Sequence, residues 1–274
     1  MDPKRIHEFQ KVVLDYYRQH GRHDLPWRQV RADGTIDPYF VMVSEIMLQQ
    51  TQVPRVLPKF TSFTKRFPTV TELAASPLAA VLQAWSGLGY NRRAKFLWQA
   101  AGVIAKEYNG DVPDISARLV KLPGIGPNTA GAVLAYAYNK PVVFIETNIR
   151  TVFIHHFFAD KEGIADKEIA DLVARTLPDD ARIWYWALMD YGTHLKQTVG
   201  NLNVLSKHYT KQSAFNGSRR QIRGQVLRLL GQSPAALAEL QAQISDERLP
   251  GVLDDLVQEN LISQEGIRYS LYAY

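Results

Sequence analysis

Apolar residues recur at steps of three and four along most of this chain, rather than alternating strictly with polar ones. That spacing is typical of amphipathic helices whose apolar stripe faces a core. It predicts helices over residues 6–19, 78–85, 93–108 and 167–177, with shorter helical segments at 116–121 and 128–138. Prolines punctuate these segments as breaks or first-turn residues, at Pro54, Pro58, Pro68, Pro77, Pro113 and Pro123. The pattern therefore predicts an all-α fold for the body of the protein.

The composition changes near residues 213–218, and a second pattern follows. Helical spacing covers three further stretches, at 220–230, 234–244 and 250–260. Glu265-Gly266 then separates two short runs of alternating apolar residues, which is a β-hairpin signal. Three helices and a hairpin predict a small winged-helix-like module over 216–274. Its role could be DNA contact through Arg219, Arg220 and Arg223, or it could be packing and partner binding.

Length and composition restrict the class of protein. A chain of 274 residues can bury a sizeable core and should form two or three lobes. Its formal charge of +5 and its isoelectric point near 9.3 modestly favour a polyanionic partner. The absence of cysteine excludes disulfides, thiolate zinc sites and cysteine-held iron–sulfur clusters. No apolar run approaches membrane-spanning length and the polar start is unlike a signal peptide, so we expect a soluble, cytoplasmic, nucleoid-associated monomer.

The most informative stretch is Leu122-Pro-Gly-Ile-Gly-Pro127, which lies between the two shorter helical segments. Glycines at 124 and 126 let backbone N–H groups approach an anion closely, and the helix that follows offers the anion its positive N-terminal end. The same pattern could also be an ordinary connection between two helices. As a phosphate-binding loop, it would indicate contact with the backbone of a nucleic acid.

Two carboxylates stand in apolar surroundings. Glu45 is the only charged residue between Asp37 and Arg55, and Glu146 follows the apolar run at 142–145. On so apolar a helix, Glu45 is expected to be partly desolvated, which raises its pKa and keeps it protonated near neutral pH. The alternative for Glu45 is an exposed glutamate on a helix. Together the two acids suit glycosidic cleavage, in which one protonates the leaving group and the other stabilises the sugar cation.

Five further segments accompany the loop in a fixed order. They are Leu25-Pro-Trp-Arg28, Ser44-Glu-Ile-Met-Leu-Gln-Gln-Thr-Gln-Val53, Phe67-Pro-Thr-Val70, Gly87-Leu-Gly-Tyr90 with Arg92 and Arg93, and Ala187-Leu-Met-Asp-Tyr-Gly192. Over about residues 20–195, the set closely resembles the helix-hairpin-helix (HhH-GPD) DNA glycosylases, specifically their MutY-like adenine glycosylase branch. The resemblance implies a two-lobed core over 1–215. It places a six-helix lobe at about 22–135, and a second lobe formed by 1–21 and 136–215.

The resemblance also implies roles for residues of the reaction centre. Glu45 would protonate the departing adenine, Glu146 would support the sugar cation, and Asn148 would help position the sugar or the water. The walls of the adenine pocket correspond to Leu25, Trp27, Arg28 and Asp190. Taken alone, Trp27 could be a core residue and Asp190 a residue at a helix end.

Contacts to double-stranded DNA follow from the same resemblance. Gln50 and Leu88 match side chains that fill the vacancy left by a flipped base, and Thr51 matches a contact to the opposite base. Leu88 alone could equally be a core residue. Phosphate contacts are expected from Tyr90, Arg92 and Arg93, and from the hairpin through Gly124, Gly126, Asn128 and Thr129. The backbone carbonyls of Leu122 and Gly124 are candidate ligands of a monovalent cation.

One departure from the family pattern concerns Glu146, because the resembled enzymes have aspartate at this position. The extra methylene moves the carboxylate by about 1.5 Å if the backbone is unchanged, and a displacement near 1 Å can cost on the order of a hundredfold in rate. Three outcomes are open. The backbone could retreat and restore the position, the longer acid could suit another base or attack geometry, or the protein could recognise DNA and cut poorly.

Other departures concern the strand-nicking lysine, the iron–sulfur cluster and the C-terminal domain. Relatives that nick the strand use a lysine where this chain has Asn128, which cannot form a Schiff base, so we expect an intact strand with an abasic site. The four cysteines of the family's [4Fe–4S] cluster correspond here to Lys196, Asn203, Ser206 and Gln212, and we expect no cluster. The segment after 215 is too short for the family's Nudix-like domain, which leaves specificity for 8-oxoguanine open.

The sequence thus predicts a monofunctional DNA glycosylase of base excision repair. It would flip a mispaired base, adenine opposite guanine or 8-oxoguanine, and hydrolyse its N-glycosidic bond. One alternative is a mismatch thymine or uracil glycosylase, since close relatives in the superfamily excise pyrimidines. Another is a protein that binds DNA damage with degenerate catalysis, because Glu146 replaces the usual aspartate.

Overall fold

The computed structural model describes residues 2–158, 161–211 and 214–272. Its helices over these residues are α1 (Pro3–His20), α2 (Pro38–Leu48), α3 (Val53–Arg66), α4 (Val70–Ala75), α5 (Leu78–Trp85), α6 (Arg92–Glu107), α7 (Ser116–Leu119), α8 (Pro127–Tyr138), α9 (Thr147–Phe157), α10 (Asp166–Thr176), α11 (Ala181–Thr198), α12 (Arg219–Leu230), α13 (Leu237–Gln243) and α14 (Leu249–Gln258). Its strands are β1 (Ala235–Ala236), β2 (Ile262–Glu265) and β3 (Arg268–Leu271). The predicted all-α body with a small C-terminal module is confirmed.

The chain packs as two compact units. Unit 1 comprises Met1–Glu45, Asp114–Lys121 and Ile125–Lys211, and unit 2 comprises Ile46–Pro113, Leu122–Gly124 and Gln212–Tyr274. The division falls at other positions than the predicted boundaries, because the C-terminal module packs on helices of the 46–113 segment. The predicted domains at 1–215 and 216–274, with lobes at about 22–135 and at 1–21 plus 136–215, stay a prediction.

Unit 1 is built around α11, which packs against α1, α8 and α9. Its core holds an aromatic cluster in which the ring of Phe9 meets Phe153 and Trp184 edge to face, at centroid distances of 5.3 and 5.6 Å. Gly192 is required where α11 passes α9, since a Cβ there would lie 2.4 Å from the carbonyl oxygen of Asn148. This close approach brings the face of α11 against the first turn of α9.

Unit 2 combines α3–α6 with the C-terminal module. Buried Phe63 packs edge to face with Trp85 at 6.0 Å in the helical part. In the module, α12–α14 accompany an antiparallel sheet of order β1-β3-β2, and β2 and β3 are joined through a turn at Gly266, whose φ is +57°. The Gln83 side chain donates to the carbonyl of Gly231 at 3.1 Å, which ties α5 to the end of α12. The three helices and the hairpin predicted for the module are present, but the helix predicted over 234–244 is shorter, because Ala235–Ala236 pairs with β3 as β1 and α13 begins only at Leu237.

The expectation that Pro58 breaks a helix or occupies its first turn is wrong. Helix α3 runs through Pro58, which removes one hydrogen bond to the carbonyl four residues earlier and costs about 3 kcal/mol in a helix interior. The helix persists because Val56, Phe60 and Phe63 are buried along one face, while Pro58 lies on the exposed side. Burial of three such side chains contributes about 1.5–3 kcal/mol each, which outweighs the lost bond.

Candidate active site

Glu45 lies near the C-terminal end of α2, partly buried among apolar side chains of that helix. Burial and, to a smaller extent, the negative charge of Glu146 raise the pKa of Glu45, the guanidinium of Arg28 opposes both effects, and together they raise the pKa to about 8. The carboxyl group is therefore protonated at neutral pH, as expected for the apolar helix. It can donate a proton at the pH of a cell.

Glu146 is the N-cap residue of α9. Its extended backbone ends the apolar segment, and its carboxylate accepts a hydrogen bond from the backbone N–H of Asn148 at 3.0 Å. This bond holds the carboxylate at the first turn of α9. The side chain of Glu146 is therefore fixed in position despite its extra methylene. Unit 1 thus holds a protonated carboxyl group at Glu45 and a helix-capping carboxylate at Glu146 that is close enough to influence it.

Asn148 is held on three sides. Besides the backbone bond to Glu146, its side-chain amide donates to the sulfur of Met189 at 3.9 Å, and its Oδ1 accepts a hydrogen bond from Lys196 Nζ at 2.7 Å. Burial, and to a smaller extent Arg150, lower the pKa of Lys196 below its ordinary value, while the negative charge of Glu146 opposes this shift. The amine of Lys196 therefore stands beside the asparagine and close enough to the second acid to interact with its charge.

Asp190 organises the predicted base-pocket residues. It is 4% exposed and accepts hydrogen bonds from Arg28 Nη1 and Nη2 at 2.8 and 3.0 Å and from Arg22 Nε at 2.7 Å. Burial would raise the pKa of Asp190, but the arginines keep it below the usual value. Trp186 supports Arg28 from its ring face, at 5.3 Å from the guanidinium carbon. Asp190 therefore fixes the guanidinium of Arg28, which influences Glu45. Leu25 and Trp27, which precede Arg28 in the sequence, are buried.

The hairpin has the geometry that its glycines predict. Gly124 has a φ of +76°, and a Cβ there would lie 2.7 Å from Cβ of Phe96, so another residue would be strained and in collision. Gly126 is the exposed N-cap of α8 and nothing lies within 4 Å of where its Cβ would be. The phosphate contacts predicted for Gly124 and Gly126 stay a prediction. The cation ligands predicted at the carbonyls of Leu122 and Gly124 stay a prediction.

Asn128 and Thr129 occupy the first turn of α8 behind these glycines. Asn128 is exposed, and its Oδ1 accepts a hydrogen bond from the backbone N–H of Ile145 at 3.4 Å. This bond ties the first turn of α8 to the segment that carries Glu146. Thr129 is half-buried. The side chain of Asn128 thus has a contact within the fold.

The predicted DNA contacts of unit 2 have different surroundings. Gln50 is exposed with a φ of 55°, whereas Leu88 is only 2% exposed. Thr51 is half-buried and accepts a hydrogen bond from Arg93 at 3.1 Å. Tyr90 has a φ of 47° and is half-buried. The roles predicted for Gln50, Thr51, Leu88 and Tyr90 stay predictions.

Arg93, one of the predicted phosphate contacts, is hydrogen-bonded within the protein. The residue is 8% exposed, and its guanidinium donates to the backbone carbonyls of Ile46 and Met47 at 2.7 and 2.9 Å and to that of Gly89 at 3.2 Å. Two of these acceptors lie at the C-terminal end of α2, where helix carbonyls lack partners, and the third lies in the loop between α5 and α6. The donors of Arg93 serve the fold, whereas Arg92 is exposed, and the phosphate contacts predicted for both arginines stay predictions.

Known proteins resemble this chain in sequence and in fold. A family model described as HhH-GPD superfamily base excision DNA repair protein matches residues 43–178. An adenine DNA glycosylase of Mycolicibacterium smegmatis is 35% identical over 92% of this chain and 92% of its own length. The chain belongs to the HhH-GPD superfamily of base excision DNA repair proteins.

Two further comparisons match smaller parts of this HhH-GPD protein. An adenine DNA glycosylase of Buchnera aphidicola is 38% identical over 67% of this chain, which spans only 52% of that relative's length. A solved structure of a thermostable thymine-DNA glycosylase superposes with a TM-score of 0.59 at 24% identity, covering 69% of this chain and 86% of that one. The second likeness concerns the fold alone.

The residues of this HhH-GPD protein do not fit the iron–sulfur cluster of the family it resembles. Lys196 bonds Asn148, and the amide of buried Asn203 donates to Thr151 Oγ1 at 2.8 Å. Ser206 is buried and its backbone pairs with Ile164, while Gln212 lies outside the described residues. Side chains that carry no thiolate and that bond their own neighbours cannot hold iron in this way.

Two functional candidates of this HhH-GPD protein escaped prediction from the sequence, Arg22 and the contact of Lys196. Lys196 follows Met189 by seven residues and Gly192 by four, so the three share one face of α11, and that periodicity could have placed the amine beside Asn148. Arg22 lies 168 residues from Asp190 in sequence, and no local pattern reports that pair.

Among the residues that the structure describes, no helix has the length and apolar character needed to cross a membrane.

Proposed function

We propose that this protein is a monofunctional adenine DNA glycosylase that removes mispaired adenine from double-stranded DNA. The observation that carries the proposal is a protonated Glu45 within the electrostatic influence of Glu146, which caps α9 beside Asn148, and Asn148 is in turn held by Lys196. Curated relatives of this chain are adenine DNA glycosylases, and one of them matches 92% of the chain. The two acids support the reaction, and the names of the relatives support adenine as the excised base.

The reaction divides between the two acids. Glu45 donates its proton to the departing adenine, so the C1′–N bond breaks with its electron pair leaving on a neutral base. The sugar becomes an oxocarbenium-like cation that the carboxylate of Glu146 stabilises. A water adds to C1′ and releases a proton, which leaves an abasic sugar in an unbroken strand.

The absence of strand nicking and of an iron–sulfur cluster belongs to the same proposal. Asn128 carries an amide where strand-nicking relatives have a lysine amine, and an amide does not form a Schiff base. Lys196 donates to Asn148 beside the proposed chemistry, so it is a lysine to examine for adventitious attack. Borohydride reduction during turnover would trap no protein–DNA adduct if the proposal holds.

A panel of duplexes tests the substrate. Adenine would be placed opposite 8-oxoguanine, guanine or cytosine, and thymine or uracil opposite guanine, and each duplex would be examined with and without alkali. We expect strand breaks only after alkali, and only for adenine opposite guanine or 8-oxoguanine. Excision of thymine or uracil alone would replace adenine as the substrate, and tight binding without breaks would identify a DNA-binding protein.

The pH dependence of excision should report Glu45. Its pKa is raised to about 8, so the protonated, active form predominates below pH 8 and is lost above it. We expect kcat/KM to be level from about pH 6.5 to 7.5 and then to fall about tenfold per unit above pH 8. Single-turnover rates across this range would check it. A profile that is still level at pH 9.5 would contradict a protonated Glu45 as the general acid.

Lys196→Met should lower kcat with little change in KM. The substitution keeps an unbranched side chain but removes the charged donor that holds Asn148, and hydrogen bonds to charged groups contribute about 1.5–3 kcal/mol. We expect kcat to fall by about tenfold to a hundredfold, and Lys196→Arg, which keeps charge and donors, to recover part of it. Equal loss in both variants with an unfolded circular dichroism spectrum would indicate a purely structural lysine.

A further inference from the structure

The connection between α5 and α6, which we call the 86–91 turn, has a backbone that its own residues do not all favour. Gly87 and Gly89 have φ values of +95° and +72°, and Tyr90 has a φ of +47°. Glycine adopts this left-handed region readily, whereas a bulky residue such as tyrosine is found there only where surrounding contacts hold it. The contacts of Tyr90 therefore decide the conformation of the turn.

The helical part of unit 2 holds the 86–91 turn at Gly89. Nε1 of Trp85 donates to the carbonyl of Gly89 at 3.1 Å, and Nη2 of Arg93 donates to the same carbonyl at 3.2 Å. The guanidinium carbon of Arg93 also lies 5.4 Å from the centroid of the Tyr90 ring. Residues of α5 and α6 therefore fix a carbonyl of the turn and contact the ring of Tyr90.

The C-terminal module contacts the same ring through Arg220 of α12. Nη1 of Arg220 donates to the hydroxyl of Tyr90, and the guanidinium carbon lies 5.4 Å from the ring centroid. A guanidinium within about 6 Å of an aromatic centroid is attracted to the ring. Tyr90 is thus engaged by Arg93 from α6 and by an arginine that lies 130 residues further along the chain.

The end of α14 anchors the module beside the turn. The carbonyl of Glu259 accepts a hydrogen bond from Lys95 Nζ. The carboxylate of Glu259 pairs with Arg223 of α12 and lies 3.8 Å from Nε of Arg92. Arg92 and Lys95 belong to the first turn of α6, which follows the 86–91 turn directly. Because Glu259 joins α6 to α12, the helix that carries Arg220 is fixed next to the turn.

The module carries no excess of positive charge. Residues 216–274 hold six arginines, no lysine and seven acidic residues, a net charge of −1. The sequence-independent affinity of a protein for DNA comes from lysines and arginines that neutralise phosphates. Arg219 pairs with Asp255 inside the module, and Arg220 donates to Tyr90. Charge and contacts therefore favour a module that acts on the protein's own turn over one that binds DNA.

We propose that Arg220 is a positioning residue, which fixes Tyr90 and the 86–91 turn in the conformation that contacts DNA. The C-terminal module thus supports excision through the protein, and not as a DNA-binding surface. This rests on the proposed function, which supplies the DNA duplex, and on the DNA contacts predicted for Leu88 and Tyr90. A phenol oxygen that accepts a hydrogen bond keeps its own O–H to donate, so Arg220 orients the hydroxyl of Tyr90 as well as its ring.

The indole N–H of Trp85 reports the turn in the absence of DNA. Trp85 is 0% exposed, and its bond to Gly89 is lost if the turn relaxes. Arg220→Gln should shift the NMR signal of this indole and speed its hydrogen exchange by about tenfold. The matched control is Arg268→Gln, which also removes one charge from the module, where Arg268 donates to the carbonyl of Pro234 at 2.7 Å. It should leave the signal and the exchange rate unchanged.

DNA binding separates a positioning residue from a phosphate contact. Fluorescence anisotropy would be measured at several salt concentrations, on a duplex that carries an uncleavable abasic analogue opposite guanine. We expect Arg220→Gln to weaken binding by about tenfold and Arg268→Gln by less than twofold. The slope of log K against log salt should be unchanged in Arg220→Gln, whereas loss of a phosphate contact lowers it by about one. In a Tyr90→Leu background, Arg220→Gln should weaken binding by less than a further twofold, because it acts through Tyr90.

A slope lowered by about one, or full weakening in the Tyr90→Leu background, would make Arg220 a DNA contact and overturn the inference. So would an unchanged Trp85 signal, unchanged binding, or equal effects in Arg220→Gln and Arg268→Gln. If Arg220→Gln fails to fold by circular dichroism, Tyr90→Phe takes its place, because it removes the hydroxyl that accepts the bond, and it should shift the Trp85 signal and weaken binding in the same way.

Neither measurement requires excision, so failure of this inference is separable from failure of the proposed function. A protein that excises no adenine but shows both effects of Arg220→Gln would keep the role of Arg220 and lose the activity. A protein that excises adenine but shows neither effect would keep the activity and lose the role of Arg220.

Discussion

Glu45→Gln should lower the rate of adenine excision by about a thousandfold, the largest effect we expect from any single substitution. General acid catalysis contributes about 10²–10⁴ in rate, and the neutral glutamine has the size of the protonated glutamate without its acidic proton. Because the carboxyl group is already neutral at pH 7, the substitution changes no charge in the folded protein there. Single-turnover excision would measure the loss.

The matched control for this variant is Glu8→Gln, which changes an exposed glutamate on α1 of the same unit. It should excise adenine at the wild-type rate. Glu45→Gln should bind a duplex that carries an abasic analogue within about twofold of wild type, and its residual rate should no longer fall above pH 8. Excision within fivefold of the wild-type rate would remove Glu45 from the mechanism.

The second large effect is expected from Glu146→Gln, which should lower excision by about 10²- to 10³-fold. Electrostatic stabilisation of a developing charge is worth about 2.7–4 kcal/mol in comparable sites, and glutamine removes the negative charge that faces the sugar cation. Its amide oxygen can still accept the bond from the backbone N–H of Asn148, so the start of α9 is preserved. Loss of activity with an unchanged melting temperature would show that the charge of Glu146, and not its capping of α9, is what excision requires.

Glu146→Asp separates the three outcomes left open by the extra methylene. The present cap geometry uses the full length of the glutamate, so we expect aspartate to lower excision by about tenfold or more through displacement of the carboxylate. A large gain in adenine excision would show that the native acid is mispositioned for this base. Unchanged activity would show that the exact reach of the carboxylate is unimportant.

Helices of this protein could be predicted closely from residue spacing. The segments predicted at 78–85 and 93–108 agree with α5 (Leu78–Trp85) and α6 (Arg92–Glu107), because apolar residues at helical steps become one buried face. Pro58 could not be placed by its own propensity, since burial along α3 outweighs the missing hydrogen bond. Local rules fail where tertiary packing contributes more than the local preference.

Candidate catalytic residues were easier to predict from the sequence than the side chains and backbone groups that they contact. Glu45 could be singled out because it is the lone charge in an apolar stretch, and the environment found for it raises its pKa as expected. The position of Arg93 as a clamp on backbone carbonyls could not be predicted, because those carbonyls become unpaired only once α2 ends. The pairing of Lys196 with Asn148 likewise depends on how closely α11 passes α9 at Gly192.

The most direct test of the two-acid account is the identity of the released product. A duplex with adenine opposite 8-oxoguanine would be incubated with excess protein, and free base and strand would be quantified by mass spectrometry. The account predicts one equivalent of free adenine per duplex and an unbroken strand with an abasic sugar from the wild type, and no adenine from Glu45→Gln/Glu146→Gln. Free adenine released by the double variant at the wild-type rate would contradict it.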